Sequence, residues 1–179
     1  MRTEQRWNEK IRAKMLPNFT PRLKRDMETI EPPKLPKLQS YFVYGEVHTG
    51  KTVWAAFMLL EAEKQAYLNA TNHSIKFRKT SEILQGIKSL FNNPEKSVED
   101  YVEALSEADF LVLDDFGSER PTDWVLGLLY LLIDRRYENM KTTIFTSNHS
   151  LDEIAEKFGD DRITSRIERM CKIIHKTKF

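Results

Sequence analysis

Short apolar runs alternate with longer stretches of helical spacing along this chain. The short runs predict strands at 41–44, 74–79, 110–113, 142–146 and 171–175. The longer stretches predict helices at 52–63, 81–91, 98–106, 123–139, 151–157 and 161–170. Strands that alternate with helices of these lengths indicate an α/β protein, a three-layer α/β/α sandwich around a parallel five-stranded sheet.

The composition is that of one ordinary globular domain, with 40% hydrophobic and 31% charged residues in 179. A net charge of +1 argues against a globally basic nucleic-acid coat. Cys171 is the only cysteine, which excludes a disulfide framework and a thiolate metal cluster and fits a reducing cytoplasm. No apolar stretch reaches membrane-spanning length, and the N-terminus is charged where a secretory signal is apolar. We therefore expect a cytoplasmic protein without a membrane partner.

Residues 1–39 combine a basic arm with a proline-rich connector. Pro32, Pro33 and Pro36 cannot continue a helix and favour extended backbone, so we predict an arm and connector at 1–39 and the core at 40–179. The arm either contacts phosphate groups or is a solvated lead-in that packs through a few apolar side chains. Its cations are Arg2, Arg6, Lys10, Arg12, Lys14, Arg22, Lys24, Arg25, Lys34 and Lys37.

The segment YFVYGEVHTGKT joins a predicted strand to the pattern Gly45-x-x-x-x-Gly50-Lys51-Thr52. The glycines let successive N–H groups point into one concavity, Lys51 supplies charge for outer phosphates, and the Thr52 hydroxyl is a magnesium ligand. The alternative is a glycine turn between a core strand and a helix. The pattern predicts a nucleoside triphosphate with Mg²⁺, held by Gly45, Glu46, Val47, His48, Thr49, Gly50, Lys51, Thr52 and Val53.

Polar side chains follow two further predicted strands. Asp114 is placed to hold magnesium, and Asp115 to orient or deprotonate the attacking water. Asn148 can help to place that water if its strand lies between the phosphate-loop strand and the Asp114 strand. The alternatives are turn or capping roles for all three residues. Many ATPases carry glutamate where this chain has Asp115, and the shorter side chain predicts slow hydrolysis.

Arg162 and Arg166 are four residues apart and share one face of the 161–170 helix. An arginine supplied by a neighbouring subunit stabilises charge in phosphoryl transfer, and Arg166 is the candidate for this arginine finger. The alternative is a solvated helix that pairs with nearby acids. Those acids are Asp160, Asp161 and Glu168.

The residues together resemble the AAA+ ATPases of the DnaC/DnaI helicase-loader group and their relatives, the IstB transposition helpers. The resemblance runs through FLVLDDFGSERPTDWVLGLLYLLIDRRYENMKTTIFTSNHSLDEIAEKFGDDRITSRI and covers most of 40–174. It implies Walker A at 45–52, Walker B at Asp114 and Asp115, and sensor 1 at Asn148. Arg166 is then the arginine finger, with Arg162 beside it at the nucleotide.

The same resemblance implies that the helix pair at 81–91 and 98–106 is the insertion by which initiator-type members contact single-stranded DNA. Arg78, Lys79, Lys88 and Lys96 are then candidate phosphate contacts, with ordinary exposed cations as the alternative. Two departures are expected: the chain stops soon after the last strand without a C-terminal helical lid, and only the basic arm precedes the core where loaders carry a helicase-gripping domain. Trp7, Met15 and Leu16 either form part of an adenine pocket or simply pack the arm.

The resemblance therefore implies an ATP-dependent helicase loader that forms a homo-oligomer, binds single-stranded DNA and remodels a replicative helicase. ATP and Mg²⁺ are the expected cofactors, with ATP hydrolysed at subunit interfaces. Three alternatives stay open. They are an IstB-like helper on duplex DNA, a small-molecule P-loop kinase with both arginines clamping phosphate within one chain, and a regulator that holds ATP without hydrolysing it.

Overall fold

A computed structural model describes residues 19–71, 73–90 and 97–177. Every strand and helix predicted above is present. The ends coincide or differ by one residue, except that the helix predicted at 52–63 continues to Leu68. The helices are α1 (Pro21–Thr29), α2 (Lys51–Leu68), α3 (Thr80–Leu90), α4 (Val98–Ser106), α5 (Asp123–Glu138), α6 (Leu151–Phe158) and α7 (Arg162–Met170). The strands are β1 (Tyr41–Tyr44), β2 (Ile75–Lys79), β3 (Phe110–Asp114), β4 (Thr142–Ser147) and β5 (Lys172–His175).

The five strands form one parallel sheet in the order β2-β3-β4-β1-β5. β4 lies between β1 and β3, as a site that contains Asn148 requires. Val43 pairs with Thr146 and Lys79 with Asp114, so the carboxyl ends of four strands share one edge. Ligands of open parallel sheets bind at this edge, where the strand order reverses.

Helices cover both faces of the sheet and confirm the three-layer sandwich. Along β1, Tyr41 and Val43 point to the layer of α1 and α2, whereas Phe42 points to the layer of α3 to α7. α2 lies between the sheet and α1, which explains why it is apolar around most of its circumference. Among the described residues, no helix follows β5, and no helix is long and apolar enough to cross a bilayer.

α1 was not predicted. Thr20 caps it by accepting a hydrogen bond from the Leu23 N–H, and Pro21 occupies its first turn. Phe19, Leu23 and Met27 recur every four residues and are buried in the same core as α2. Burial of the Leu23 and Met27 side chains contributes about 1.5–3 kcal/mol each. The division at residue 40 stays a prediction, but α1, on its N-terminal side, packs on the core.

Arg136 on α5 is fully buried and ties three elements together. It donates hydrogen bonds to the carbonyls of Leu105, Ser106 and Ala108, at and just beyond the end of α4. It also donates to the Thr142 carbonyl and the Thr143 hydroxyl of β4, both within 2.8 Å. Burial lowers the pKa of Arg136 to about 10. The carbonyl end of a helix favours a cation, so α4 stabilises this buried charge.

Candidate nucleotide site

The loop between β1 and α2 requires glycine at its first position. Gly45 has φ +148°, and a Cβ placed on it would lie 2.2 Å from the Lys176 carbonyl oxygen. His48 and Gly50 also have positive φ, at +66° and +76°. Such a backbone turns several N–H groups toward one side, which is the geometry of an anion-binding concavity. The strand, the turn and the helix expected of a phosphate loop are all present.

Lys51 folds its ammonium group back over this loop. Its Nζ donates to the carbonyls of Gly45 and Glu46 at 2.9 and 2.8 Å and lies 3.5 Å from the Thr49 hydroxyl. The side chain is 7% exposed. Burial lowers the pKa of Lys51, and the carboxylates of Asp115 and Asp114 oppose this shift. A buried cation held mainly by neutral carbonyls favours an incoming polyanion.

Asp114, at the end of β3, lies beside the first turn of α2. One carboxylate oxygen accepts hydrogen bonds from the Thr52 hydroxyl at 2.8 Å and from the Thr146 hydroxyl at 2.6 Å. Asp114 is 1% exposed, and burial raises its pKa although both hydroxyls oppose the shift. A carboxylate beside a hydroxyl is the all-oxygen donor set that Mg²⁺ prefers, so these residues fit that ion.

Asp115 lies in a turn whose peptide groups are held by several hydrogen bonds. Its φ is +59°, its N–H donates to the Thr146 hydroxyl at 3.1 Å, and its carbonyl accepts from the Ser118 hydroxyl at 2.7 Å. Ser147 donates to the Phe116 carbonyl at 2.7 Å. Aspartate tolerates the left-handed conformation better than longer residues do. The backbone therefore supplies a physical reason for aspartate rather than glutamate at this position.

Glu119 completes this turn and was missed by the sequence analysis. It is buried, and one carboxylate oxygen accepts from the Gly117 N–H at 2.8 Å. The other oxygen has no hydrogen-bond partner among the described residues, and burial raises the pKa of Glu119. Lys157 on α6 donates to the Gly117 carbonyl at 2.6 Å. An acid inside the polar string GSER gives no sequence signal that it is buried.

A cavity of about 560 Å³ brings most of the predicted site together. Lys51, Thr52, Asp114, Asp115 and Asn148 all line it, and Asn148 makes no hydrogen bond to any described residue. The loop residues Val47, His48, Gly50 and Val53 line it too. The rest of its wall was not predicted and comes from α1, β2 and their flanks, with Phe19, Leu23, Ile30 and Phe77 as its apolar part and Arg22, Arg78 and Lys79 as cations. Trp7, Met15 and Leu16 lie outside the described residues.

Arg162 and Arg166 do not line this cavity. The Nε of Arg166 donates to Asp134, and its Nη2 donates to the Tyr130 hydroxyl at 2.7 Å. Arg162 pairs with Asp160 at 2.7 Å, as the solvated-helix alternative predicted for that arginine. Both guanidinium groups lie over the Tyr130 ring, 5.0 and 4.6 Å from its centre. Neither arginine is placed to clamp a phosphate inside its own chain.

The four candidate DNA contacts separate into three groups. Arg78 and Lys79 line the cavity described above. Lys88 on α3 lies 5.6 Å from the centre of the Trp124 ring. Lys96 falls outside the part of the chain that the structure describes. The first two cations are therefore placed with the phosphate loop.

The strand order and the phosphate loop after β1 define an AAA+ fold. The family model described as IstB-like ATP binding protein matches residues 36–179, and this chain belongs to that family. The replicative helicase loader DnaC of Escherichia coli (strain K12) is 25% identical over 130 residues, which are 73% of this chain and 50% of that protein. The helicase loader DnaI of Bacillus subtilis (strain 168) is 26% identical over 124 residues, 68% of this chain and 37% of that protein.

A solved structure supports the same assignment. The crystal structure of the DnaC helicase loader superposes with a TM-score of 0.65 at 26% identity and covers 87% of this chain and 86% of that chain. The resemblance to the DnaC/DnaI and IstB group is thus confirmed. The chain spans about half the length, or less, of the curated relatives that it matches.

Proposed function

We propose that this protein is an ATP-dependent switch of DNA replication that acts on a replicative helicase. One observation carries the proposal: Lys51, Thr52, Asp114, Asp115 and Asn148 converge on one cavity at the carboxyl edge of the sheet. Three separate strands deliver these side chains, and only the fold brings them together. Their chemistry is that of triphosphate binding with a divalent ion.

Each of these residues has a role in the proposal. Lys51 exchanges its bonds to the Gly45 and Glu46 carbonyls for charged phosphate oxygens, which are stronger acceptors. Thr52 and Asp114 hold Mg²⁺, and the ion would supply neutralisation of the developing phosphate charge. Asp115 and Asn148 orient the attacking water, with Asp115 as the group that accepts its proton.

ATP hydrolysis then needs a second copy of the chain. Arg166 lies outside the cavity of its own chain and points its guanidinium toward α5. An arginine finger from a neighbour is worth about a thousandfold to a hundred thousandfold in turnover. The proposal therefore includes a homo-oligomer with ATP at each interface and weak turnover in the dilute protein.

The proposed partners are based on the relatives and on the helix pair α3–α4. DnaC and DnaI are named replicative helicase loaders, and we extend that role to this chain. The single-stranded DNA site would be the α3–α4 pair and its cations, and the cytoplasm is the expected location. The basic arm is the segment that we propose for further phosphate contacts.

Calorimetry with Mg-ATP tests the central claim. We expect binding by the wild-type protein and loss of binding by Lys51→Ala, because the buried ammonium is the main cation of the loop. Lys64→Ala on the same helix is the matched control, since Lys64 does not line the cavity and pairs with Glu61 at 3.7 Å. Absence of heat from the folded wild-type protein would refute the nucleotide site.

The family match favours one further candidate, an IstB-like helper that binds duplex DNA. Gel shifts with matched single-stranded and duplex oligonucleotides separate the two, and a duplex preference would favour the helper. The kinase alternative loses support because neither Arg162 nor Arg166 lines the cavity. A regulator without turnover would bind Mg-ATP but release no phosphate at any protein concentration, with or without DNA.

A further inference from the structure

Two cations at the end of β2 face the nucleotide cavity from the side opposite the phosphate loop. The sheet order β2-β3-β4-β1 places the Asp114–Asp115 tip of β3 between them and Lys51. Lys79 pairs in register with Asp114, and its charge acts on that carboxylate. A phosphate above the tip of β3 would therefore have positive charge on both sides.

The side chains of Arg78 and Lys79 both have hydrogen-bond donors that no described residue accepts. The Nη1 of Arg78 donates to the Phe77 carbonyl at 2.7 Å, which holds the guanidinium at the cavity wall. A guanidinium carries five donors, so most of them remain for a ligand. The Lys79 side chain makes no hydrogen bond or ion pair with any residue that the structure describes. Both residues are half-buried, so desolvation strengthens their attraction for an anion.

The balance of charges on the cavity wall also favours the binding of an anion. Its wall carries the acids Asp26, Glu82, Asp114 and Asp115 and the cations Arg22, Lys51, Arg78 and Lys79. A divalent cation held by Asp114 offsets the negative charge of the acid pair at the tip of β3. The cations that remain then favour the outer phosphates of a nucleotide.

We propose that Arg78 and Lys79 form a second phosphate subsite that binds the terminal phosphate of the nucleotide from the β2 side. The inference rests on the proposed nucleotide site and assigns these two residues to ATP rather than to DNA. The subsite would distinguish ATP from ADP, because only ATP places a phosphate beyond the reach of the loop amides. It would make β2 the strand that responds to the terminal phosphate.

The test compares the binding affinities of the double variant Arg78→Gln/Lys79→Gln with those of the wild-type protein. The ligands are a non-hydrolysable ATP analogue and ADP, both with Mg²⁺, and a single-stranded oligonucleotide. Each charge-assisted hydrogen bond is worth about 1.5–3 kcal/mol, so we expect the analogue to bind roughly tenfold to a hundredfold more weakly. The affinity for ADP should change by less than about threefold, which is a smaller change than the loss of one such bond would cause. Lys79→Arg with Arg78 intact should keep most of the affinity, because the charge remains.

Equal losses for the analogue and for ADP would overturn the proposal, as would an unchanged analogue affinity. A loss confined to the oligonucleotide would assign the two cations to nucleic-acid phosphates instead. Lys51→Ala distinguishes failure of the proposed subsite from failure of the nucleotide site. It should weaken the binding of both nucleotides, whereas the double variant should leave ADP binding nearly unchanged. Circular dichroism and thermal melting check that the double variant is folded, and Lys64→Ala is the control outside the cavity.

Discussion

Arg166 on α7 donates to the carboxylate of Asp134 on α5, and its guanidinium lies 4.6 Å from the centre of the Tyr130 ring. Its Nη1 donates to the Arg162 carbonyl at 3.1 Å and its Nη2 to the Tyr130 hydroxyl at 2.7 Å. Of the five donors of a guanidinium, this leaves one on each terminal nitrogen. Such a pair of N–H donors suits a phosphate presented by another subunit, so Asp134 and Tyr130 would orient the proposed arginine finger.

Replacement of Arg166 by alanine should abolish assembly-dependent ATP turnover, by about a thousandfold or more, while Mg-ATP affinity changes little. Asp134→Asn should lower turnover less, by about tenfold, since it loosens the orientation but keeps the guanidinium. Phosphate release measured against protein concentration checks both. Asp160→Asn is the matched control, because Asp160 pairs with the exposed Arg162.

Mixing two inactive variants shows whether the finger acts between subunits. Arg166→Ala keeps an intact nucleotide cavity, and Lys51→Ala keeps an intact finger. We expect the mixture to recover part of the turnover that each variant lacks alone. A mixture as inactive as its components, at concentrations where the wild type is active, would count against the inter-subunit role.

Asp114→Asn should stabilise the fold at neutral pH while it removes Mg²⁺-dependent nucleotide binding. Burial raises the pKa of Asp114, so its ionised form costs folding free energy above that pKa. The cost disappears below the unfolded value of about 3.9, where the carboxyl group is neutral in both states. Each kcal/mol recovered raises Tm by about 2–4 °C in a domain of this size.

The pH dependence is the check on this explanation. The difference in Tm between Asp114→Asn and the wild-type protein should be largest near neutral pH and shrink as the pH falls through the raised pKa. Asp160, whose pKa is lowered by its bonds to Arg162, serves as a contrast. A difference that is constant from neutral pH to about pH 4 would show that the Asp114 charge is not the cause.

Asp115→Asn should bind Mg-ATP as the wild type does but lose turnover, because the amide cannot accept the proton of the attacking water. Asp115→Glu should destabilise the fold by about 1 kcal/mol, since glutamate lacks the tolerance of aspartate for positive φ. Phosphate release and thermal melting separate the two effects. Faster turnover by the glutamate variant at unchanged stability would contradict the role given to the backbone.

Arg136→Lys should destabilise the protein by about 3 kcal/mol, because an ammonium has three donors and cannot reach five separate acceptors, so buried carbonyls are left unpaired. The contribution of Arg136 to the stability of the wild-type protein should not vary between about pH 6 and 9, since Arg136 stays charged with its pKa at about 10. Urea unfolding measures both quantities. Arg135→Lys, one position earlier, is the control and should change stability by less than about 0.5 kcal/mol.

The sheet and most helices could be predicted because their signals are local. Phe110 to Leu113 is continuously apolar and β3 is buried on both faces, and the Thr122 hydroxyl caps the start of α5. The helix α1 was missed because its cations obscured the spacing of Phe19, Leu23 and Met27.

Parts of the site could not be predicted because they depend on contacts between distant segments. The sequence patterns predicted that Thr52 and Asp114 each hold magnesium, and the structure places the Thr52 hydroxyl 2.8 Å from an Asp114 carboxylate oxygen. The sequence carried no sign that Glu119 is buried or that Arg166 pairs with Asp134. It also gave no reason to place Arg78 and Lys79 in the cavity, because neighbouring strand residues normally point to opposite faces.

The anchoring of α4 by Arg136 limits how the helix pair can move. The last carbonyls of α4 are fixed to α5 and β4, whereas Ser97, Glu99 and Asp100 at its other end are exposed. Any swing of α4 would therefore pivot about the buried guanidinium, with its largest displacement near residue 97. A spin label or fluorophore at position 97 would therefore report a rearrangement that the same probe beside Leu105 would not detect.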